Sequence, residues 1–254
     1  MNTKPAQQIM TLIAIALTFG SGASDVAAVT RLGNVFTSVM TGDIVLFGLS
    51  LARGSLTLAA HAAVAVGGYI VGVATATWIA HWVKTSRARR GAEAADGVAV
   101  LAAHVIWPLR AELTLLAVLA AGWEATGGHP AGWGQFCLLA VLAAAMGVQS
   151  SAVRDMGLSD VATTYLTGTL TGLVSSLASP GQDTPHGPRR FGVLIGLLAG
   201  AVLSGLLLAT AIDGVPFLPL AAVAVALVLA SGRSLSWPLS GRITRRRPQA
   251  DQPR

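Results

Sequence analysis

Two short stretches of this chain set hydroxyls, a glycine and a carboxylate into otherwise apolar sequence. The first runs Val35-Phe-Thr-Ser-Val-Met-Thr-Gly42 and is followed at once by Asp43; the second runs Asp160-Val-Ala-Thr-Thr-Tyr-Leu-Thr-Gly168. A carboxylate at membrane depth is costly and therefore a functional candidate, which makes Asp43 a possible coupling site for a proton or cation. Because Asp43 opens an apolar half-helix, capping of that helix accounts for it as well. Asp25 and Asp160 lie just before the two apolar segments that hold these stretches, 35–51 and 161–178, and could line a pathway or serve as caps in the same way. Thr37, Thr41, Thr163, Thr164 and Thr167 supply hydroxyls, and Gly42 and Gly168 supply chain breaks. Gln149, just before the second stretch, adds a neutral donor and acceptor. A single membrane Thr bonds the carbonyl of its preceding turn, but this clustering in both stretches points to a shared polar site.

Other chemistry finds little support. No His-Glu-x-x-His zinc motif and no phosphate-binding loop occurs. Thr41-Gly-Asp43 lacks the preceding glycine of the intramembrane aspartyl protease pattern, and Gly20-Ser-Gly22 has no positioned His beside it. His61, His81 and His104 show no ligand spacing, and the one cysteine, Cys137, excludes a disulfide framework. The sequence therefore predicts no enzyme, no metal and no cofactor. Arg110 and Glu112 either pair within a span or mark an interfacial helix that precedes a span starting near Leu113.

The elements that must position these groups are set by composition. Of 254 residues, 53% are hydrophobic and only 11% charged, and the mean hydropathy is +0.66. Soluble domains carry roughly 25% charged residues, so the expected solvent is a lipid bilayer. Apolar stretches fall at residues 9–29, 35–51, 56–83, 98–122, 134–153, 161–178, 191–212 and 215–230. Those at 35–51 and 161–178 hold the polar motifs and read as re-entrant or broken half-helices; the others approach the about 20 residues needed to cross.

Charge placement agrees. With the two anomalous segments re-entrant, every Lys and Arg except Arg31, Arg53 and Arg110 falls on one side, which the positive-inside rule makes cytoplasmic. The expectation is an all-α polytopic protein of the bacterial inner membrane, with six full transmembrane helices and both termini cytoplasmic. The net charge of +6 is then a topology signal and not a nucleic-acid footprint. Letting 35–51 cross, with the N-terminus outside, misplaces only Lys4, so that arrangement stays open. A signal peptide over residues 1–23 is a third reading, opposed by the repeat described next.

Residues 32–42 and 158–168 align without a gap, and the spans that follow each carry small residues four apart: Gly68, Gly72, Ala76 and Ala80, then Gly192, Gly196, Gly200 and Ser204. Such ladders let helices approach closely. Three crossings per repeat require the two copies to be inverted, the plan of many secondary transporters. The organisation expected is a first membrane repeat with its basic loop at 1–97, a third span and external loop at 98–133, a second repeat at 134–231 and a basic tail at 232–254. Chain breaks are expected at Gly20-Ser-Gly22, Gly33-Asn34, Gly157 and Gly168.

The same residues carry a family resemblance. Gly22-Ala-Ser-Asp25 with Val35 to Gly42, and Ala145-Met-Gly-Val-Gln149 with Arg154 and Asp160 to Thr171, resemble the two signatures of the YoaK-type family of bacterial inner-membrane proteins. Asp43 and Ser150 depart from the asparagines usual there. The resemblance implies a polytopic membrane protein and supplies no substrate or catalytic residue. The function expected is a secondary transporter or channel for a small polar solute or ion, its partners the bilayer and that solute, with oligomerisation open; the rival is a membrane scaffold or accessory subunit.

Overall fold

The computed structural model describes residues 4–89, 105–155, 166–178 and 187–231. Among them are eight α-helices and no strand: α1 Lys4–Arg31, α2 Met40–Ala52, α3 Leu56–Arg89, α4 Trp107–Ala125, α5 Gly132–Asp155, α6 Leu166–Ala178, α7 Gly187–Thr210 and α8 Phe217–Ser231, with a 3-10 turn at Ile212–Gly214 before α8. Lipid offers no partner to a peptide group, so apolar chain of this composition closes its hydrogen bonds internally as helix. Five stretches are long and apolar enough to cross a membrane: Gln8–Arg31, Leu56–Trp82, Gly132–Arg154, Gly187–Thr210 and Ile212–Ser231. α2 is a shorter apolar helix of 13 residues, and α6 has the same length. α4, with 19 residues, carries Arg110, Glu112 and Glu124 within it.

α1 does not break at the first of the expected places. It runs unbroken through Gly20-Ser-Gly22, and Ser21 returns its hydroxyl to the Leu17 carbonyl at 3.1 Å. The glycines there serve packing: a Cβ on Gly22 would overlap the Leu197 carbonyl of α7. The break expected at Gly33-Asn34 does occur, with both residues in the left-handed region at φ +110° and +60°. Gly168 lies in the first turn of α6, and Gly157 lies outside the described residues.

Helix packing follows the small-residue ladders. Cβ atoms on Gly68 and Gly72 of α3 would press into Ala140 and Ala144 of α5, whereas those on Gly196 and Gly200 of α7 would press into Ile15 and Phe19 of α1. In the second pair Ser204 also donates to the Ala23 carbonyl at 3.1 Å. α1 packs further on α8 and α5 on α4, while α2 rests on α3 and α6 on α7. The partners thus match in pairs, with α1, α2, α3 and α4 taking the places of α5, α6, α7 and α8. α4 and α8 share a motif as well: Pro108-Leu-x-Ala111 in one and Pro219-Leu-x-Ala222 in the other. Between these helices Leu17, Leu116, Leu142, Met146 and Val223 form a fully buried core.

Candidate functional site

The break after α1 lets residues 32–39 fold back along the helix they have just left. Asp25, buried on α1, receives four hydrogen bonds from this loop. Oδ1 accepts from Thr37 N at 2.8 Å, Ser38 N at 2.9 Å and Thr37 Oγ1 at 3.1 Å. Oδ2 accepts from Ser38 Oγ at 2.5 Å. Asp25 precedes the end of α1 at Arg31 by six residues, so the loop descends roughly 9 Å along the helix. Thr37 and Ser38 are buried at its lowest point.

Asp43, in the first turn of α2, closes the loop from the other side. Its Oδ1 accepts from Phe36 N at 2.9 Å, so three successive backbone N–H groups, at 36, 37 and 38, are taken by two carboxylates. Such consecutive N–H groups would otherwise form an anion-binding concavity. Here the chain's own acids fill it. Capping of α2 by Asp43 is not seen: no side-chain cap bond forms at that helix start, and the carboxylate turns instead to the preceding loop. Asp43 is fully buried, and its Oδ2 has no partner among the described residues.

The rim of the loop is fastened to α3 and α5. A Cβ on Gly33 would overlap the His61 ring. That ring stacks on Phe136 with centroids 4.2 Å apart, faces Gln135 Oε1 through Nε2 at 3.1 Å and the Thr57 carbonyl through Nδ1 at 2.8 Å. Gln135 in turn donates to the Arg31 carbonyl, at 2.9 Å, satisfying an end-of-helix acceptor. The beginnings of α3 and α5 therefore sit beside the end of α1.

A second polar group lies where α1 meets α5. Gln149 Nε2 donates to Ser21 Oγ at 2.8 Å and the Leu17 carbonyl at 3.3 Å, while Gln149 Oε1 and the nearby Ser24 Oγ are buried without partners among the described residues. On α4, Arg110 is exposed and stacks on Trp107, 5.6 Å from the ring centroid. Glu112 is fully buried, with neither oxygen partnered among the described residues. The two therefore do not pair, and Glu112 is buried inside the bundle.

Among the sequence candidates, the structure brings Asp25 of α1, Thr37 of the loop and Asp43 of α2 together and places Gln149 on an adjoining helix. Thr41 is exposed and Gly42 half-buried on α2. Thr167 and Gly168 stand exposed on α6, which packs on α7 and not extensively on α2. Asp160, Thr163 and Thr164 lie outside the described residues. Ser38, Ser21, Ser24 and Glu112 were not among the candidates. Adjacency to Thr37 could have nominated Ser38, and the repeated Pro-Leu-x-Ala motif sets Glu112 opposite Val223.

Comparison with known proteins supplies the family. The family model described as "Protein of unknown function (DUF1275)" matches residues 13–231. The chain is also similar to the UPF0700 transmembrane protein YoaK of Bacillus subtilis (strain 168), with 27% identity over 160 residues, covering 62% of this chain and 63% of the relative. The aligned part thus spans less than two thirds of that relative's length. No solved structure matches. The chain belongs to the DUF1275, YoaK-like family and is a multipass membrane protein whose regular structure, among the described residues, is helical.

Proposed function

We propose that this DUF1275 family member is a secondary transporter or channel of the bacterial inner membrane. Its site is the Asp25–Asp43 loop, and its cargo is a cation or a small polar solute that donates hydrogen bonds. The observation that carries this reading is the free acceptor, Asp43 Oδ2, at the foot of a non-helical loop lying among apolar helices. Backbone of that kind at membrane depth is tolerated where protein buries it or a wet cavity faces it. Because the loop's N–H groups already serve carboxylates, the capacity left over favours donors and cations, not anions. No chemical turnover is part of the proposal, and neither is nucleic acid.

The architecture proposed with it has six spans and both termini cytoplasmic, arranged as two inverted repeats with re-entrant segments at 32–51 and 158–178. Its support is the exchanged packing, in which α1 holds α7 and α5 holds α3 through glycines at matching places. The fold-back of residues 32–39 from the end of α1 to Asp25, with α3 starting beside that same end, supports a first segment that enters and leaves on one face.

Cysteine accessibility tests the reading directly. Single cysteines at 36 and at 39 through 42, the positions of this stretch that are not buried, in a Cys137→Ala background, are expected to react with a membrane-impermeant thiol reagent. Protection across all of these positions, in a protein that proves inert in proteoliposome flux, would leave the packing-scaffold alternative standing.

A further inference from the structure

Glu112 is the most anomalous side chain in the described structure. It is fully enclosed, with Pro108, Leu109, Leu116 and Leu119 along the same buried stripe of α4. No basic group among the described residues compensates it. Arg110 points away onto Trp107, and α8 contains no titratable residue. α1 presents Asp25, already engaged by Thr37 and Ser38. α5 presents only the uncharged Gln149 at this height. Arg154, near the end of α5, and Glu124, near the end of α4, are exposed.

The height follows from the antiparallel register of α4 and α5. A Cβ on Gly122 would meet Leu138, whereas Pro108 and Ala111 share a cavity with Val148. Glu112 therefore lies level with the turn of α5 that bears Gln149, whose Oε1 is itself without a partner among the described residues. Two groups that can only accept are thus buried at one level of one helix pair. Packing does not demand the acid, because the matching position of the Pro-Leu-x-Ala motif in α8 is Val223, also fully buried. A single proton removes the buried charge and turns one Glu112 oxygen from acceptor to donor, which gives Gln149 Oε1 something to accept.

We propose that Glu112 is a proton-binding site in the core of the bundle, occupied as the carboxylic acid with its O–H directed to Gln149 Oε1, directly or through one water. Deprotonation would pass the proton to water and leave three buried acceptor oxygens without a donor among the described residues. The site thus takes a proton in preference to a larger cation, for which so few oxygens make an incomplete shell. This inference does not depend on transport.

Two measurements on the purified full chain in nanodiscs test it. Infrared difference spectroscopy at neutral pH is expected to show a carboxylic-acid C=O band that is sensitive to deuterium exchange. That band should vanish in Glu112→Gln and shift in Gln149→Leu. Dicyclohexylcarbodiimide, which attacks protonated carboxyls in apolar surroundings, is expected to label Glu112 by mass spectrometry, with labelling falling at least several-fold as pH rises through the range where the band fades. Glu112→Val, which copies the residue at 223, replaces Glu112→Gln if the latter fails to fold. A spectrum unchanged by both substitutions, or a folded protein unlabelled at Glu112, overturns the proposal. An acid band indifferent to Gln149→Leu overturns the pairing. A transport-inactive protein that retains the band and the label leaves this inference intact while removing the transport reading.

Discussion

Asp25 gives the sharpest separation between two substitutions, one that removes the carboxylate and one that only exchanges an oxygen for an NH2. In Asp25→Ala the main-chain N–H groups of Thr37 and Ser38 lose their acceptor in a position where neither residue reaches solvent: Thr37 is 0% exposed and Ser38 3%. Each orphaned buried donor costs about 1–3 kcal/mol, and the two hydroxyls add less because they can rotate toward other acceptors. The expected loss is about 3–6 kcal/mol, a large share of a typical stability. Asp25→Asn behaves differently for a geometric reason. Three of the four bonds converge on Oδ1, so an asparagine oxygen placed there keeps the Thr37 N, Thr37 Oγ1 and Ser38 N contacts. The new Nδ2 faces Ser38 Oγ, which can reverse its role and accept. Only the charge assistance is lost, about 1–2 kcal/mol.

Equilibrium unfolding of the detergent-solubilised protein by SDS titration, followed by circular dichroism, measures both variants. The alanine variant is expected to unfold at far lower SDS than the parent, and the asparagine variant close to it. If asparagine destabilised as much as alanine, the acceptor geometry would not be what holds the loop. If alanine cost less than about 0.5 kcal/mol, the loop would not depend on Asp25 at all.

Other substitutions probe the packing. Gly72→Leu and Gly200→Leu should each cost about 3 kcal/mol or more, because a Cβ at either place strikes a carbonyl of the facing helix and the backbone must part; similar losses for the two in the SDS assay would support the matched pairing, and tolerance of either would refute it. Gly33→Ala meets two obstacles, φ of +110° and the His61 ring. His61→Ala in the same chain should recover the steric part and leave about 1–2 kcal/mol of backbone strain, a non-additivity readable from a double-mutant cycle. Ser204→Ala removes one interhelical bond to Ala23 and should cost about 1 kcal/mol.

Much of this arrangement was legible in the sequence. The Thr-Gly element at 35–42 marked the interruption of helix, and the ladders at Gly68–Gly72 and Gly196–Gly200 marked the closest contacts, because only small residues allow backbones so near. Glycine alone was ambiguous, however. At Gly20-Ser-Gly22 it permits close approach within a continuous helix, and at Gly33 it permits the left-handed turn; only three-dimensional neighbours distinguish the two. A pairing of Arg110 with Glu112 fails on helix geometry, since residues two apart point to different faces. Thr167 and Gly168 repeat the motif of Thr41 and Gly42, yet residues with the same spelling on α2 and α6 lie on helices packed against different neighbours. Sequence likeness between repeats speaks to local structure before it speaks to contact.

The three buried carboxylates differ most simply in the donors each has been given: four for Asp25, one for Asp43 and, among the described residues, none for Glu112. A carboxylate whose lone pairs are all engaged is part of the scaffold, and its removal is felt as unfolding. One with vacant lone pairs contributes little to the scaffold and is available to a ligand or a proton. Stability losses should therefore decline from Asp25→Ala through Asp43→Ala to Glu112→Val, whereas effects on proton or solute binding should fall most heavily on Asp43 and Glu112. Glu112→Val is the informative extreme. A valine already fills the matching place at 223, and substitution removes a buried polar group while taking one donor from Gln149 Oε1, so the two effects offset and stability should change by less than about 2 kcal/mol. Measured by the same SDS titration, a loss above about 2 kcal/mol would mean that Glu112 has stabilising partners beyond Gln149 and would refute the ordering by donor number.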